Sequence, residues 1–377
     1  MAEKTLIADR VLMGDHWVAN QAITVRGGVI VGLGTAADVS SGTRLDGSVV
    51  PGFFDIQVNG GGGVLFNDDT SVEAIEAIGA AHRQFGTTSF LPTLISDDLE
   101  KVRTAINAVD EAIARGVPGV VGIHLEGPFL CEAKKGIHDA SKFRCMTAGD
   151  VELLTSLKYG KTLVTLAPEK VDAEKIRALT AAGVIVSAGH TAATYEQALA
   201  GIEAGVTGFT HLFNAMTGFE SRAPGVVGAA FDSSNTWAGL IADGHHVHPA
   251  ALRHTIETKG INRSILVSDA MPTVGSDAGE FMLDGQLITV QDGCCCNADG
   301  VLAGSALDMA SAVRYAANEV GVGLAAAAQM ASRSPAAFIG LDDSFGSVEI
   351  GKKADFVVLD DKLAAKSVYI GGENHGF

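Results

Sequence analysis

Val120-Val121-Gly122-Ile123-His124-Leu125-Glu126 is an apolar run that ends in a carboxylate, and its reading decides the fold. A continuous apolar run of this length suits a strand buried on both faces, as parallel strands are. The form recurs along the chain. Val184 to Gly189 ends at His190, Gly208-Phe209-Thr210 runs into His211, and Ser264 to Ser268 ends at Asp269. Polar residues that close successive parallel strands face one shared rim.

Working outward, strand candidates run over Val49 to Asn59, Thr87 to Thr93, Val120 to Phe129, Thr162 to Glu169, Val184 to His190, Gly208 to Asn214, Trp237 to His246 and Ser264 to Met271. Stretches of helical period separate them, which marks repeated βα units. These eight units predict a (β/α)8 barrel of TIM type over residues 49–344, within the α/β class. An open doubly wound sheet is the alternative, but Gly60 to Gly63 lacks the glycine spacing of a dinucleotide site. Phe281 to Leu302 alternates like a β-hairpin, giving an insertion near 275–303. Short strand patterns at Thr5 to Leu12, Ala22 to Arg26 and Val29 to Gly32 match others at Asp355 to Asp360 and Ser367 to Gly371. Neither group can stand alone, so residues 1–48 and 345–377 are expected to pair into a small β-sandwich.

Composition narrows the function. With 377 residues and 47% apolar content, the chain can bury a large core. A net charge of −17 argues against nucleic acid, whose binders carry a lysine and arginine surplus. The chain start lacks the basic, apolar pattern of a secretory signal, and the run Leu324 to Ala328 is too short to cross a bilayer. A cytoplasmic protein without membrane contact is the expectation. Five cysteines, including Cys294-Cys295-Cys296, make no disulfide framework in a chain of this size. Neighbouring side chains diverge, so the triplet reads as a reduced, partly buried hairpin segment.

His124 and Glu126 lie two apart on one strand and share a face. Glu126, His190 and His211 can meet across the barrel mouth as a carboxylate and two imidazoles, the donor types zinc takes where a position stays open for water. Each of them alone could equally be a satisfied core or strand-end residue. Asp269 is followed at once by Ala270-Met271-Pro272 and no obvious helix, so it reads as a proton-transferring base rather than a helix cap.

The chain resembles the N-acetylglucosamine-6-phosphate deacetylase family of the amidohydrolase superfamily. The residues that carry the likeness are Phe53 to Gly60 (FFDIQVNG), His124 to Pro128 (HLEGP), Ser187 to His190 (SAGH), Thr210 to Met216 (THLFNAM) and Gly351 to Asp355 (GKKAD). They run in order from about Val49 to Leu359. The last motif alone indicates only the superfamily. The resemblance implies hydrolysis of N-acetylglucosamine 6-phosphate to glucosamine 6-phosphate and acetate in amino-sugar catabolism. It implies a metal on Glu126, His190 and His211, Asp269 as general base and then acid, and His138 polarising the acetamide carbonyl. It also implies that Asn214, the Ala215 backbone, His246 and Arg222 bind the phosphate. Arg222 would reach across from a neighbouring subunit of a homodimer or larger homo-oligomer. Many superfamily members carry His-x-His on the first strand for a second metal, whereas Gln57 and Asn59 stand here. Amides are poor ligands beside imidazole, so one divalent metal per subunit is expected, Zn2+ foremost, with Fe2+, Co2+ or Mn2+ also accommodated. Cys131, in the loop after Glu126, is a candidate for thiol sensitivity.

Rival readings keep the fold and change the substrate, to N-acetylgalactosamine 6-phosphate or another amide. A cyclic-amide hydrolase would need a bridging lysine on the fourth strand, and Thr162 to Glu169 has none. A metal-free binding protein of the same fold is the remaining alternative, disfavoured because the whole polar set is present.

Overall fold

The computed structural model describes residues 3–376. The chain opens with β1 (Glu3–Met13), β2 (His16–Arg26), β3 (Val29–Thr35) and β4 (Thr43–Pro51). Next come β5 (Phe53–Val58), β6 (Thr87–Ile95), β7 (Gly122–Glu126), β8 (Lys161–Leu166), β9 (Ile185–Ala188), β10 (Val206–Phe209), β11 (Trp237–Leu240) and β12 (Ser264–Leu266). An insertion holds β13 (Glu280–Leu283), β14 (Gln286–Gln291), β15 (Cys294–Cys296) and β16 (Leu302–Ser305), and the chain closes with β17 (Phe356–Leu359), β18 (Ala365–Ile370) and β19 (Glu373–Asn374).

Strands β5 to β12 form one parallel sheet in sequence order. Every residue of β5, β6 and β7 is buried, which is why their sequences read as unbroken apolar runs rather than alternating ones. Helices between the strands cover the outside. The helix Val72–Arg83, for example, starts where the Ser71 hydroxyl accepts the Ala74 N–H, and it buries Ile75 and Ile78. Closure between the last and first strands is narrow. It consists of one bridge between Val58 and Ala270, with Asp269 N–H donating to Gln57 O at 3.0 Å and Asn59 N–H to Ala270 O at 2.9 Å. The eight expected strands are all present, in the near-barrel arrangement of a TIM fold.

Two expectations need correction and another gains detail. The first expected strand, Val49 to Asn59, divides at Gly52. Val49 and Val50 lie in β4, which pairs with β1 and β17, and only Phe53 onward joins the barrel. Second, the strands from the two chain ends are hydrogen-bonded in one run of seven, in the order β19-β18-β17-β4-β1-β2-β3, whose edge strand β3 wraps back to the segment ahead of β17, with Ile30 N–H donating to Lys352 O at 2.9 Å and Gly351 N–H to Ile30 O at 2.8 Å. Its own apolar cluster includes Leu6, Val11, Ile23, Val49, Phe356 and Val358. Third, the insertion is a four-stranded antiparallel sheet, not a single hairpin. Leu283, Ile288, Cys295 and Ala303 fix it to the barrel rim through Leu65, Ile95 and Met271.

Gly52 allows the turn between the two sheets. A Cβ there would lie 2.1 Å from Thr88 Oγ1 and 2.8 Å from Thr88 Cβ, on a buried strand that cannot yield. Gly52→Ala should therefore destabilise the protein by roughly 1–3 kcal/mol, the usual cost of overpacking. A lowered denaturant midpoint is the expected result, and an unchanged midpoint would mean that this junction is loosely packed.

Candidate metal and catalytic site

A pocket of about 460 Å³ opens at the carboxyl ends of the barrel strands. Glu126 is the last residue of β7, while His190, His211 and Asp269 follow β9, β10 and β12 by a few residues. The backbone there is unusual. His190, His211 and Asp269 all have positive φ, at 47°, 34° and 53°, as does Ala215 at 51°. Side chains other than glycine rarely adopt this region, and the surrounding structure must over-determine it. Here the turn swings each side chain off its strand direction and into the mouth.

The functional atoms converge. Glu126 Oε1 lies 3.0 Å from His211 Nε2 and 3.2 Å from His190 Nε2, and the two imidazole nitrogens are 3.1 Å apart. A tetrahedral metal with bonds of about 2.0–2.1 Å holds its ligand atoms roughly 3.3 Å from one another, so this triangle has the right dimensions. His190 Nδ1 faces the Lys134 carbonyl at 2.9 Å and donates to it, which turns the Nε2 lone pair into the triangle. His211 Nδ1 is buried without a protein partner among the described residues. His138 is also close, its ring centroid 4.3 Å from that of His190. Glu126, His138 and His190 thus form a second, wider buried set able to hold a metal. Its ligand atoms lie within 4.8 Å of one another, looser than the triangle with His211.

Charge follows this crowding. Burial opposes the ionised form of Glu126, yet hydrogen bonds from His190 and His211 outweigh it and hold the carboxyl well below its usual range. Burial likewise opposes charge on His211, but contact with Glu126 raises that imidazole. Burial first and then Glu126 push Asp269 up to about 6. His138 moves the other way, kept well below the ordinary histidine value by burial and by His190. Its Nδ1 accepts from the Ser96 hydroxyl at 2.9 Å and faces the Ser96 N–H at 3.4 Å, so the ring proton sits on Nε2.

Gln57 and Asn59 act as donors. Gln57 Nε2 lies 3.1 Å from both Glu126 Oε2 and Asp269 Oδ1, and Asn59 Nδ2 lies 2.7 Å from Asp269 Oδ1. Gln57 thereby holds the two carboxylates side by side, and Asn59 adds a second donor to Asp269. His124 sits lower in the barrel, bound to Thr165 Oγ1 at 2.8 Å and pushed down to about 4 by burial.

Of the residues singled out in the sequence, Asn59, Glu126, His138, His190, His211, Asn214, Ala215, His246 and Asp269 line the same pocket. Gln57 lies just beneath. Arg222 does not join them within one chain. It lines a separate crevice of about 410 Å³, with Lys134, Thr194 and Glu220 among its neighbours. Cys131 is 6% exposed, which removes the basis for expecting an accessible thiol there. Three features escaped sequence reasoning. Ser96 orients His138. Asp243 accepts His246 Nδ1–H at 2.6 Å and the His246 and His245 N–H groups, a role signalled only by a carboxylate three residues ahead of a histidine. Gly300 to Leu302 and Gly304, from the insertion, form one wall of the pocket.

The model of the Amidohydrolase family matches residues 48–374. An N-acetylgalactosamine-6-phosphate deacetylase of Shewanella sp. strain ANA-3 is 47% identical, over 98% of this chain and 95% of its own length. An N-acetylglucosamine-6-phosphate deacetylase of Haemophilus influenzae is 34% identical, over 93% of this chain and 94% of its own length. In three dimensions the crystal structure of N-acetylglucosamine-6-phosphate deacetylase from Pasteurella multocida superimposes with a TM-score of 0.96 at 32% identity, covering 100% of both chains. No helix among the described residues is long and apolar enough to cross a membrane. With a near-complete family match and relatives aligned over almost their whole length, this chain belongs to the amidohydrolase family.

Proposed function

We propose that the protein is a metal-dependent deacetylase of N-acetylated amino-sugar 6-phosphates, hydrolysing N-acetylglucosamine 6-phosphate to glucosamine 6-phosphate and acetate. One observation carries this reading: a carboxylate–imidazole triangle of metal-site dimensions shares a pocket with a raised carboxyl, Asp269, and a neutral imidazole donor, His138. Glu126, His190 and His211 would hold a single divalent ion, Zn2+ before Fe2+, Co2+ or Mn2+. When bound, such an ion acts as a Lewis acid that lowers the pKa of water and polarises a carbonyl.

The chain's own groups do the rest. Gln57 and Asn59 both donate to Asp269 Oδ1, leaving Oδ2 to take the proton of the attacking water. His138 donates its Nε2–H to the oxyanion that develops on the acetamide oxygen, a contact of the kind that contributes about 3 kcal/mol. Asp269 then returns the proton to the leaving amine. Asn214, the Ala215 backbone and His246, which line the pocket, would meet the phosphate, with His246 oriented by Asp243. Arg222 would complete the clamp from a partner subunit, its planar fork meeting two phosphate oxygens. A second reading has a specific basis. The relative from Shewanella is named for the galactosamine epimer, so N-acetylgalactosamine 6-phosphate is the rival substrate.

Metal analysis separates the two possible ligand sets. His211→Ala should lose most of its metal, whereas His138→Ala should keep it and lose about 10²–10³ in kcat. The reverse pattern would assign the site to Glu126, His138 and His190. Asp269→Asn should bind substrate and lose about 10²–10⁴ in kcat. Near-normal turnover in that variant would place the base elsewhere.

Acetate release tests the substrate. kcat/KM should be roughly 10²-fold higher for N-acetylglucosamine 6-phosphate than for the unphosphorylated sugar, the worth of one or two hydrogen bonds to a charged group. Equal rates would discard His246, Asn214 and Arg222 as a phosphate clamp. A clear preference for N-acetylgalactosamine 6-phosphate would select the second reading.

A further inference from the structure

Cys294 and Cys296 take no part in the proposed reaction, yet their placement on β15 is specific. They project from one face of the strand, and their Sγ atoms are 2.9 Å apart. Cys295 points the other way, fully buried against Ile288, Ala303 and Met271. Cys294 and Cys296 are each only partly buried, so reagents in solution can reach them.

We propose that Cys294 and Cys296 form a two-electron oxidation site, which a hydroperoxide converts to an intramolecular disulfide. One thiolate attacks the peroxide oxygen, breaking the O–O bond to give a sulfenic acid and an alcohol or water. The second thiol displaces water from that sulfur. Two thiols and one hydroperoxide thus yield a disulfide, one alcohol or water and one further water, with both electrons passing from sulfur to oxygen.

Strand geometry explains why the pair can close and why the bond would be labile. Residues two apart on a regular strand have Cα atoms roughly 6.4–6.8 Å apart, the upper limit of what a disulfide spans. Here the pairing of β15 with β16 slips register between Cys294 and Cys296. The extra residue lies on β16, so the ladder is broken opposite the cysteine pair and β15 is less tightly held there. A disulfide across so short a span stays strained, and strained, accessible disulfides are the readily reduced ones. In the reduced state burial and the Cys296 neighbour push the Cys294 thiol up to about 11, so that sulfur rests protonated at neutral pH. Oxidation at neutral pH is accordingly slow.

The site lies one strand away from Asp269. Cys294 pairs with Ser305 on β16. Ser305 N–H donates to Asp269 O at 2.9 Å, Met271 N–H donates to Ser305 O at 2.9 Å, and the Ser305 hydroxyl donates to Ser268 O at 2.6 Å. Closing the cysteine pair pulls on the strand that holds the proposed base.

The test uses the full chain with its metal, treated with hydrogen peroxide, then denatured and alkylated for intact-mass and peptide analysis. Two of the five thiols should become unreactive in a monomeric product, with the loss of two hydrogens confined to the peptide containing 294–296. Dithiothreitol should restore all five. Cys294→Ser and Cys296→Ser should each abolish the change. Equal thiol loss in Cys294→Ser, or Cys294 recovered as a sulfinic acid without a disulfide, would overturn the proposal. Both readouts are independent of any substrate. A several-fold, thiol-reversible fall in kcat/KM, absent from Cys294→Ser, is expected if the strand coupling holds. Full activity with the disulfide formed would refute that coupling.

Discussion

The structure depends on keeping the Glu126 carboxylate ionised while only 2% of it is exposed. An isolated buried carboxylate is strongly disfavoured, and it is tolerated only when cations or donors surround it. His190, His211 and Gln57 provide that surround, each from a different strand or strand end. No two neighbouring elements could supply the set alone. Closing the parallel sheet on itself is what brings β5, β7, β9 and β10 to one rim, and the closure itself runs through the backbone of Gln57, Asn59, Asp269 and Ala270.

That coupling links fold to chemistry. Asp269 is held by a backbone bond to the first strand, by two amide donors on one oxygen and by the Ser305 backbone of the insertion. Two separate parts of the chain, the first strand with Asn59 just beyond it and Ser305 of the insertion, therefore fix this one residue. Gln57 donates to both Glu126 and Asp269 and Asn59 to Asp269, so the facing carboxylates are bridged by amide hydrogen bonds, in keeping with the proposal of one metal per subunit. Burial then sets opposite protonation preferences on Asp269 and His138, one poised to exchange a proton and the other kept as a neutral donor.

Much of this was legible in the sequence because both faces of the barrel strands are buried, so Val120 to Glu126 and its counterparts stand out as apolar runs with polar ends. Strand limits were less legible. Ser264 to Met271 reads as one strand, but only Ser264–Leu266 joins the ladder, since from Asp269 on the backbone bonds go to the first strand and to Ser305. The break at Gly52 was hidden because apolar residues flank it on both sides and serve two different cores. Ser96 and Asp243 carry no local signal for their roles, which arise only when distant segments bring each to a histidine ring. Arg222 belongs to a crevice outside the single-chain pocket, and no pattern within one chain specifies what it meets.

The central claim is that Glu126, His190 and His211 form the first coordination shell of one metal. Anomalous diffraction from a crystal of the metal-loaded protein tests it most directly. The account predicts a single peak bonded to Glu126 Oε1, His190 Nε2 and His211 Nε2, with Gln57 and Asn59 outside bonding distance. A peak bonded to His138 in place of His211, or a second full-occupancy peak against Gln57 and Asn59, would contradict it.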